Sequence, residues 1–358
     1  MRVRELEFHN FRSFRNRRQI SFVDPLTNGV RPMTVIAGTN GSGKTTILDT
    51  IQELLSLLQT VETTTSRKTD LQDGLVYLEL EFDAAEVATF FPDPATQAVV
   101  PTNSLQTNNI CIARGQRALA PEHLAKNRPD GTSIFVDHAY PGALTAQVER
   151  MERGEIPLQG GLIYFPDDRR IGHTNGGPIE QPLQQTEWIA RYGEADRWQG
   201  SLEQLWVWEN YLDLEQGSQE KARLKPFVST VETLLGPGRT ITIREGRVRV
   251  PAPWSANGGT PALMHLDQLP SGEQQILLLF GELARRRRPG AILLIDEPEA
   301  SLHPTLQRRV VHQLRAFARE WNMQLIMDTH SLEILRAVHE TERIILDQLD
   351  ATPVRAMP

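Results

Sequence analysis

The sequence predicts an α/β protein with a mixed central sheet, an antiparallel β unit and a helical lobe. Three observations carry that prediction. An apolar run at 34–37 leads through a glycine-rich stretch into a helix with Ile47, Leu48, Ile51, Leu54, Leu55 and Leu58 at three-and-four spacing. A second apolar run, 291–295, ends in two acids. From there the pattern alternates: helix 304–320, strand 324–329, a helix at 331–339, strand 343–347.

The other elements follow in order. Residues 2–8 alternate around Leu6 and Phe8, and 20–22 form a short second strand. The polar stretch 60–73 reads as a loop. Over 76–82, Val76, Leu78, Leu80 and Phe82 share one face and Tyr77, Glu79 and Glu81 the other, the pattern of a half-exposed antiparallel strand. Residues 84–160 are punctuated by Phe91-Pro92-Asp93-Pro94, Asn108-Asn109 and Arg128-Pro129-Asp130-Gly131, which predicts an insertion of short strands and turns. A helical, tryptophan-rich section spans 187–235, with Trp198, Trp206 and Trp208 as core of a lobe or as partner surface. Strands at 240–244 and 247–250 flank Glu245-Gly246, and 272–287 is an amphipathic helix. The expected division is a core of 1–83 plus 280–350, the 84–160 insertion, a second lobe at 161–279, and a tail at 351–358.

Composition excludes several classes. With 358 residues, 39% apolar and 23% charged, the chain can bury a sizeable core. One cysteine, Cys111, rules out an internal disulfide framework and fits a reducing, cytoplasmic setting. The charged start, Met1-Arg2-Val3-Arg4-Glu5, lacks the apolar core of a signal peptide. The longest apolar run, 276–280, is far short of the roughly 20 residues that span a bilayer, so no membrane role is expected. A net charge of −7 argues against coating nucleic acid through bulk charge. It leaves room for local basic faces at Arg12, Arg15, Arg17 and Arg18 and at 285–288.

The chemistry concentrates in a few motifs. Gly38-Thr39-Asn40-Gly41-Ser42-Gly43-Lys44-Thr45 matches the P-loop pattern and sits between a buried strand and a helix start. Its glycines let backbone N–H groups turn toward phosphate, aided by the helix N-terminus. Asn40, Gly41, Ser42, Gly43, Lys44, Thr45 and Thr46 are thus the candidate ATP ligands, with Lys44 on the β/γ-phosphates and the Thr45 hydroxyl on Mg²⁺. Asp296 and Glu297 leave the apolar strand at its carboxyl edge. Asp296 is the second metal-shell candidate, and Glu297 the candidate to orient or deprotonate water. His330, ending the next strand, is placed to reach a γ-phosphate or that water.

Together these pieces resemble an ABC-type ATPase head. Leu269-Pro270-Ser271-Gly272-Glu273-Gln274-Gln275 is similar to the family's signature motif, which implies that Ser271, Gly272 and Glu273 bind the γ-phosphate held by another protomer. A helix N-cap at Ser271 is the plainer reading of the same residues, and both can hold. Asn10-Phe11-Arg12-Ser13-Phe14 resembles the opening of RecF, SMC and OLD-type ATPases, whose arginine lies near the phosphates, here Arg12. The run from Asp296 to Pro304 is similar to OLD-like defence ATPases, although His303 stands where transporters carry aspartate. The stretch Tyr164-Phe165-Pro166-Asp167-Asp168-Arg169-Arg170 resembles an OLD-like element or is a plain surface turn, and it contains no glutamine to serve as a Q-loop residue.

Only 28 residues follow His330, so no Toprim nuclease domain is expected after the head. The resemblance therefore implies a switch that forms a homodimer, or a higher oligomer, through shared ATP sites. It would control a nuclease or toxin supplied in trans, as in bacterial antiviral defence. The alternative is a RecF-like ATPase that binds DNA in repair through the arginine clusters.

Overall fold

The computed structural model describes residues 1–56, 58, 74–93, 108–115, 139–171, 181–182, 186–194, 201–217, 224–252 and 262–349. The expected loop at 60–73, Trp198, the turn at 128–131 and the tail at 351–358 lie outside the described residues.

In chain order the elements begin with β1 (Arg2–His9), β2 (Arg18–Ser21), β3 (Met33–Ala37), α1 (Lys44–Ser56), β4 (Leu75–Phe82), α2 (Ala84–Phe90) and β5 (Asn108–Gly115). Next come α3 (Ala139–Glu152), β6 (Leu162–Phe165), β7 (Ile189–Arg191), α4 (Ser201–Glu215), α5 (Lys225–Leu235), β8 (Thr242–Arg244), β9 (Arg247–Pro251) and β10 (Leu263–Met264). The chain closes with α6 (Ser271–Arg286), β11 (Ile292–Ile295), α7 (Pro304–Glu320), β12 (Gln324–Thr329), α8 (Leu332–Ala337), β13 (Arg343–Ile345) and α9 (Leu346–Leu349).

The central sheet has the order β13-β3-β12-β11-β6-β7, and every neighbouring pair in it is parallel. The expected mixed sheet is corrected on this point. Among the described residues, antiparallel strands form two other sheets, β2-β1-β4-β5 and β10-β9-β8. β3, β11 and β12 are each followed by a helix, α1, α7 and α8, the usual kind of connection between parallel neighbours. Alternate residues of each central strand enter different cores. Leu293, Ile295, Leu325 and Met327 pack with the helical lobe, while Ile292, Leu294 and Ile326 pack with α1 and the four-stranded sheet. Burial on both faces is why these strands read as continuous apolar runs.

Three further expectations change. β4 is antiparallel to β1, as its alternation implied, but all eight of its residues are buried. Its polar face is closed rather than wet: the Tyr77 hydroxyl lies 3.0 Å from Glu5 and 2.7 Å from Glu7, Arg17 donates to Glu7, and Arg4 pairs with Glu81. The 84–160 insertion opens with a helix, α2, capped by reciprocal bonds between Asp83 and Glu86, and α3 follows β5. The section at 187–235 is helical only from Ser201, in α4 and α5, among the described residues. At 189–191 parallel pairing with β6 overrides the local pattern and makes an edge strand.

The arginine run at 285–288 is spent largely inside the fold. Arg285 pairs with Glu282, Arg286 donates to Tyr192 and Glu187, and Arg288 donates to the carbonyls of Leu162, Glu187 and Trp188. Only Arg287 is exposed, so the run is not the basic face that its sequence suggested. Among the described residues no helix is long and apolar enough to cross a membrane.

Candidate active site

Register sets the site. Ile295 is level with Phe165 and Met327, and Thr329 with Ala37, so β6, β11, β12 and β3 end along one edge of the sheet. The chain leaves that edge through the turn after β6, the acids after β11, the histidine after β12 and the glycine loop after β3.

The loop between β3 and α1 turns through left-handed backbone at Gly41 (φ +79°) and Gly43 (φ +97°). At Gly43 a β-carbon would lie 2.6 Å from the Phe14 ring, so the Phe11–Phe14 turn packs directly against the loop. Gly43→Ala is expected to cost about 1–3 kcal/mol of stability, because the backbone conformation and the contact are both lost. Denaturant unfolding checks this, and an unchanged midpoint would show that neither the left-handed backbone nor the Phe14 contact constrains the loop. Lys44 Nζ donates to the Gly38 and Thr39 carbonyls, 3.1 Å each, which folds its ammonium over the loop. Ser42 Oγ is buried without a partner. Asn40, Gly41 and Thr45 are exposed, while Thr46 sits in the first turn of α1 and accepts from Thr50.

Asp296 is 1% exposed and its carboxyl meets both Thr45 and Asp328. Burial, first of all, pushes Asp296 and Asp328 above the ordinary carboxylate range, and their mutual hydrogen bond then lowers Asp296 and raises Asp328 further. Each keeps one buried oxygen, Oδ2, without a partner. Unfilled acceptors beside a threonine hydroxyl suit a hard divalent cation. Among the described residues no cluster of three or more His, Cys, Asp or Glu forms a cage of its own. Thr45 and Asp296 would therefore hold Mg²⁺ jointly with substrate phosphates, the usual arrangement for that ion.

Glu297 sits in left-handed backbone, φ +46°, with its N–H donated to Asp328 Oδ1 at 2.8 Å. Its carboxylate is 3.5 Å from His330 Nε2. Burial, and then the neighbouring Glu299, raise its pKa, which suits a proton acceptor working near neutrality. Glu299 Oε1 accepts from Thr329 Oγ1 (2.6 Å), His330 N (2.7 Å) and Ser331 N (3.1 Å), fixing the loop that carries the histidine. His303 accepts from Thr305 N and caps α7.

The structure gathers Lys44, Thr45, Asp296, Glu297 and His330 around one sheet edge, with Asn40, Gly41, Ser42, Gly43 and Thr46 on the same loop and helix start. Ser271 opens α6, but Pro270 is the N-cap and makes no side-chain cap, so capping by Ser271 is not what starts this helix. Gly272 lies against the Ser301 carbonyl, where a β-carbon would come within 2.7 Å. Glu273 is held in an ion pair by Arg239. Arg12 donates to Glu53 on α1 at 2.7 Å and lies over the Phe11 ring.

Several contributors were given no role by the sequence, although Tyr164 and Arg169 lie in the stretch that resembles an OLD-like element. Asp347, at the start of α9, accepts from Thr39 N (2.9 Å) and Thr39 Oγ1 (3.0 Å) and so fixes the mouth of the loop. Tyr164 donates to Asp49. Arg169, in the turn after β6, donates to the carbonyls of Pro166, Asp296 and Glu297 and to Gln275 of α6. Arg169 thus turns inward, while Asp167, Asp168 and Arg170 beside it are exposed.

A family model described as "AAA domain, putative AbiEii toxin, Type IV TA system" matches residues 262–336, and one described as "AAA domain" matches 5–88. The phosphonates import ATP-binding protein PhnC of Lactobacillus johnsonii is 37% identical over 70 residues, which is 20% of this chain and 26% of that protein. The chain thus spans about a quarter of the length of the first curated relatives it matches. The thiamine import ATP-binding protein ThiQ of Chelativorans sp. is 30% identical over 199 residues, covering 49% of this chain and 79% of ThiQ. The chain belongs to the ABC-type ATPases. A solved SMC head, bound in its crystal to the C-terminal winged-helix domain of ScpA, has the same fold at a TM-score of 0.50 and 18% identity, covering 94% of this chain and 93% of that one. This ABC-type head thus presents the glycine loop, the paired acids and the histidine on one edge of its parallel sheet.

Proposed function

We propose that the chain is an ATP-hydrolysing switch. Two heads close on two ATP molecules, each held by the glycine loop of one head and by Ser271-Gly272 of the other. The observation that carries this reading is the convergence of Lys44, Thr45, Asp296, Glu297 and His330 at one sheet edge. Lys44 and the loop N–H groups bind the phosphates. Thr45 and Asp296 would hold Mg²⁺ together with the phosphates, and the ion would supply Lewis-acid stabilisation of the phosphoryl charge. Glu297 takes the proton of the attacking water as its oxygen bonds to the γ-phosphorus and the β–γ bridge bond breaks. His330, 3.5 Å from Glu297, orients that water or the phosphate. The products are ADP and inorganic phosphate, and the heads separate.

Shared sites make dimerisation and nucleotide occupancy one equilibrium, which is the basis of a switch. A partner effector, a nuclease or toxin, is the output we assign, in the setting of bacterial antiviral defence. The family description at 262–336 names a toxin–antitoxin system, the kind of two-component setting this reading assigns, and attaches the toxin to the AAA domain itself.

The composite site is tested by Ser271→Arg. That residue is exposed at the first turn of α6, so a long cation there leaves the fold intact and blocks the second head. ATP binding by the single head should stay within about threefold of wild type, and ATP-driven dimerisation should disappear in gel filtration or light scattering. An ATP-dependent dimer of this variant would rule out the composite site. Affinity capture of the Glu297→Gln variant with ATP, Mg²⁺ and its neighbouring gene products tests the effector, and capture of nucleic acid with no protein neighbour would favour a DNA clamp.

A further inference from the structure

A guanidinium taken wholly out of water is costly unless its donors are all met. Arg169 is 1% exposed, and its donors are spent on a small set of acceptors. Nη1 reaches the carbonyls of Pro166 (2.8 Å) and Asp296 (2.5 Å), Nη2 reaches the carbonyl of Glu297 (2.8 Å), and Nε reaches Gln275 Oε1 (2.7 Å). Gln275 Nε2 returns a bond to the Arg169 carbonyl at 3.3 Å.

Two of these acceptors bracket the most constrained peptide of the site. Glu297 lies in a left-handed conformation that a non-glycine residue keeps only when its surroundings enforce it. Enforcement comes from both sides: Asp328 Oδ1 takes its N–H, and Arg169 Nη2 holds its C=O. These two bonds fix the direction in which the carboxylate leaves the chain. The remaining arm of the guanidinium grips Gln275, one helical turn beyond Ser271 on the same helix. A shift in the first turn of α6 is therefore passed through one rigid, planar group to the backbone of Glu297.

We infer that Arg169 is a positioning residue that ties the Glu297 peptide to the first turn of α6, so that a phosphate docking at Ser271 sets the aim of Glu297 in the same chain. The inference rests on the proposed role of Glu297. It supplies, in an element without glutamine, the link between signature helix and reaction centre.

The experiment compares Arg169→Lys and Gln275→Leu, alone and combined with Glu297→Gln. Lysine keeps the charge but lacks the fork that reaches four acceptors. Both variants should bind a fluorescent ATP analogue within about threefold of wild type and unfold cooperatively on heating. kcat should fall roughly 30-fold or more for Arg169→Lys and about 5–20-fold for Gln275→Leu, with KM unchanged. In the Glu297→Gln background, single-turnover rates should drop by no more than about twofold further, because the link acts through the group already removed. Losses that multiply in that background, or wild-type kcat in both single variants, would overturn the link. If Arg169→Lys does not fold, Gln275→Leu decides alone, since it leaves the bonds to Asp296 and Glu297 in place. Normal turnover by Glu297→Gln itself would overturn the parent reading, a result distinct from additive losses with a dead Glu297→Gln.

Discussion

Glu297→Gln is expected to bind ATP at wild-type affinity and to hydrolyse it about 10²–10⁴-fold more slowly, the usual value of a general base. The substitution is unusually clean here because what holds residue 297 in place is its backbone. The N–H to Asp328 and the C=O to Arg169 are unaffected by changing a carboxylate to an amide. Removing one charge from a site where Glu299, Asp296 and Asp167 already raise the Glu297 pKa also eases the approach of a triphosphate. Heads that bind and do not turn over should accumulate as the ATP-held dimer. Phosphate release, a nucleotide titration and gel filtration with ATP measure the three effects separately. Turnover within about threefold of wild type would move the proton transfer to another residue.

Lys44→Ala should instead weaken binding. The ammonium is already desolvated, 5% exposed, and its present partners are the carbonyls of Gly38 and Thr39. A phosphate arriving at the loop offers the same donors a charged acceptor. Hydrogen bonds to charged groups are worth about 1.5–3 kcal/mol, so affinity should weaken roughly 10- to 150-fold. Alanine also leaves the two carbonyls without their donor, which lowers stability slightly. A titration with fluorescent nucleotide in the presence of Mg²⁺ measures the loss. Affinity within twofold of wild type would mean that the loop N–H groups carry binding without the lysine.

Much of this arrangement is legible in the sequence because it is local. The glycine loop, the apolar strand before Asp296 and the strand before His330 each declare themselves within ten residues, and burial on both faces makes those strands uniform in hydropathy. What escapes is long-range. Thr39 and Asp347 are 308 positions apart, and Arg169 lies 127 from Asp296, so no window of sequence couples them. β4 looks half-exposed because alternation reports polarity, and here the polar face is closed by Tyr77, Arg17 and Arg4. The helix α2 did carry a signal, Asp83 followed by Glu86 at capping-box spacing, within a stretch otherwise dominated by turn residues.

The order of the central sheet has a consequence for how the chain is made. β3, the strand that delivers the glycine loop, pairs only with β12 and β13, and those strands begin at Gln324 and Arg343. At about 5–20 residues per second, a ribosome leaves β3 without either neighbour for roughly 15–60 s. A nascent chain that stalls before Gln324 therefore carries an apolar strand with two open edges and a phosphate loop not yet pinned by Asp347. It should neither capture nucleotide nor escape proteolysis, so ATP can act only on heads that have been completed.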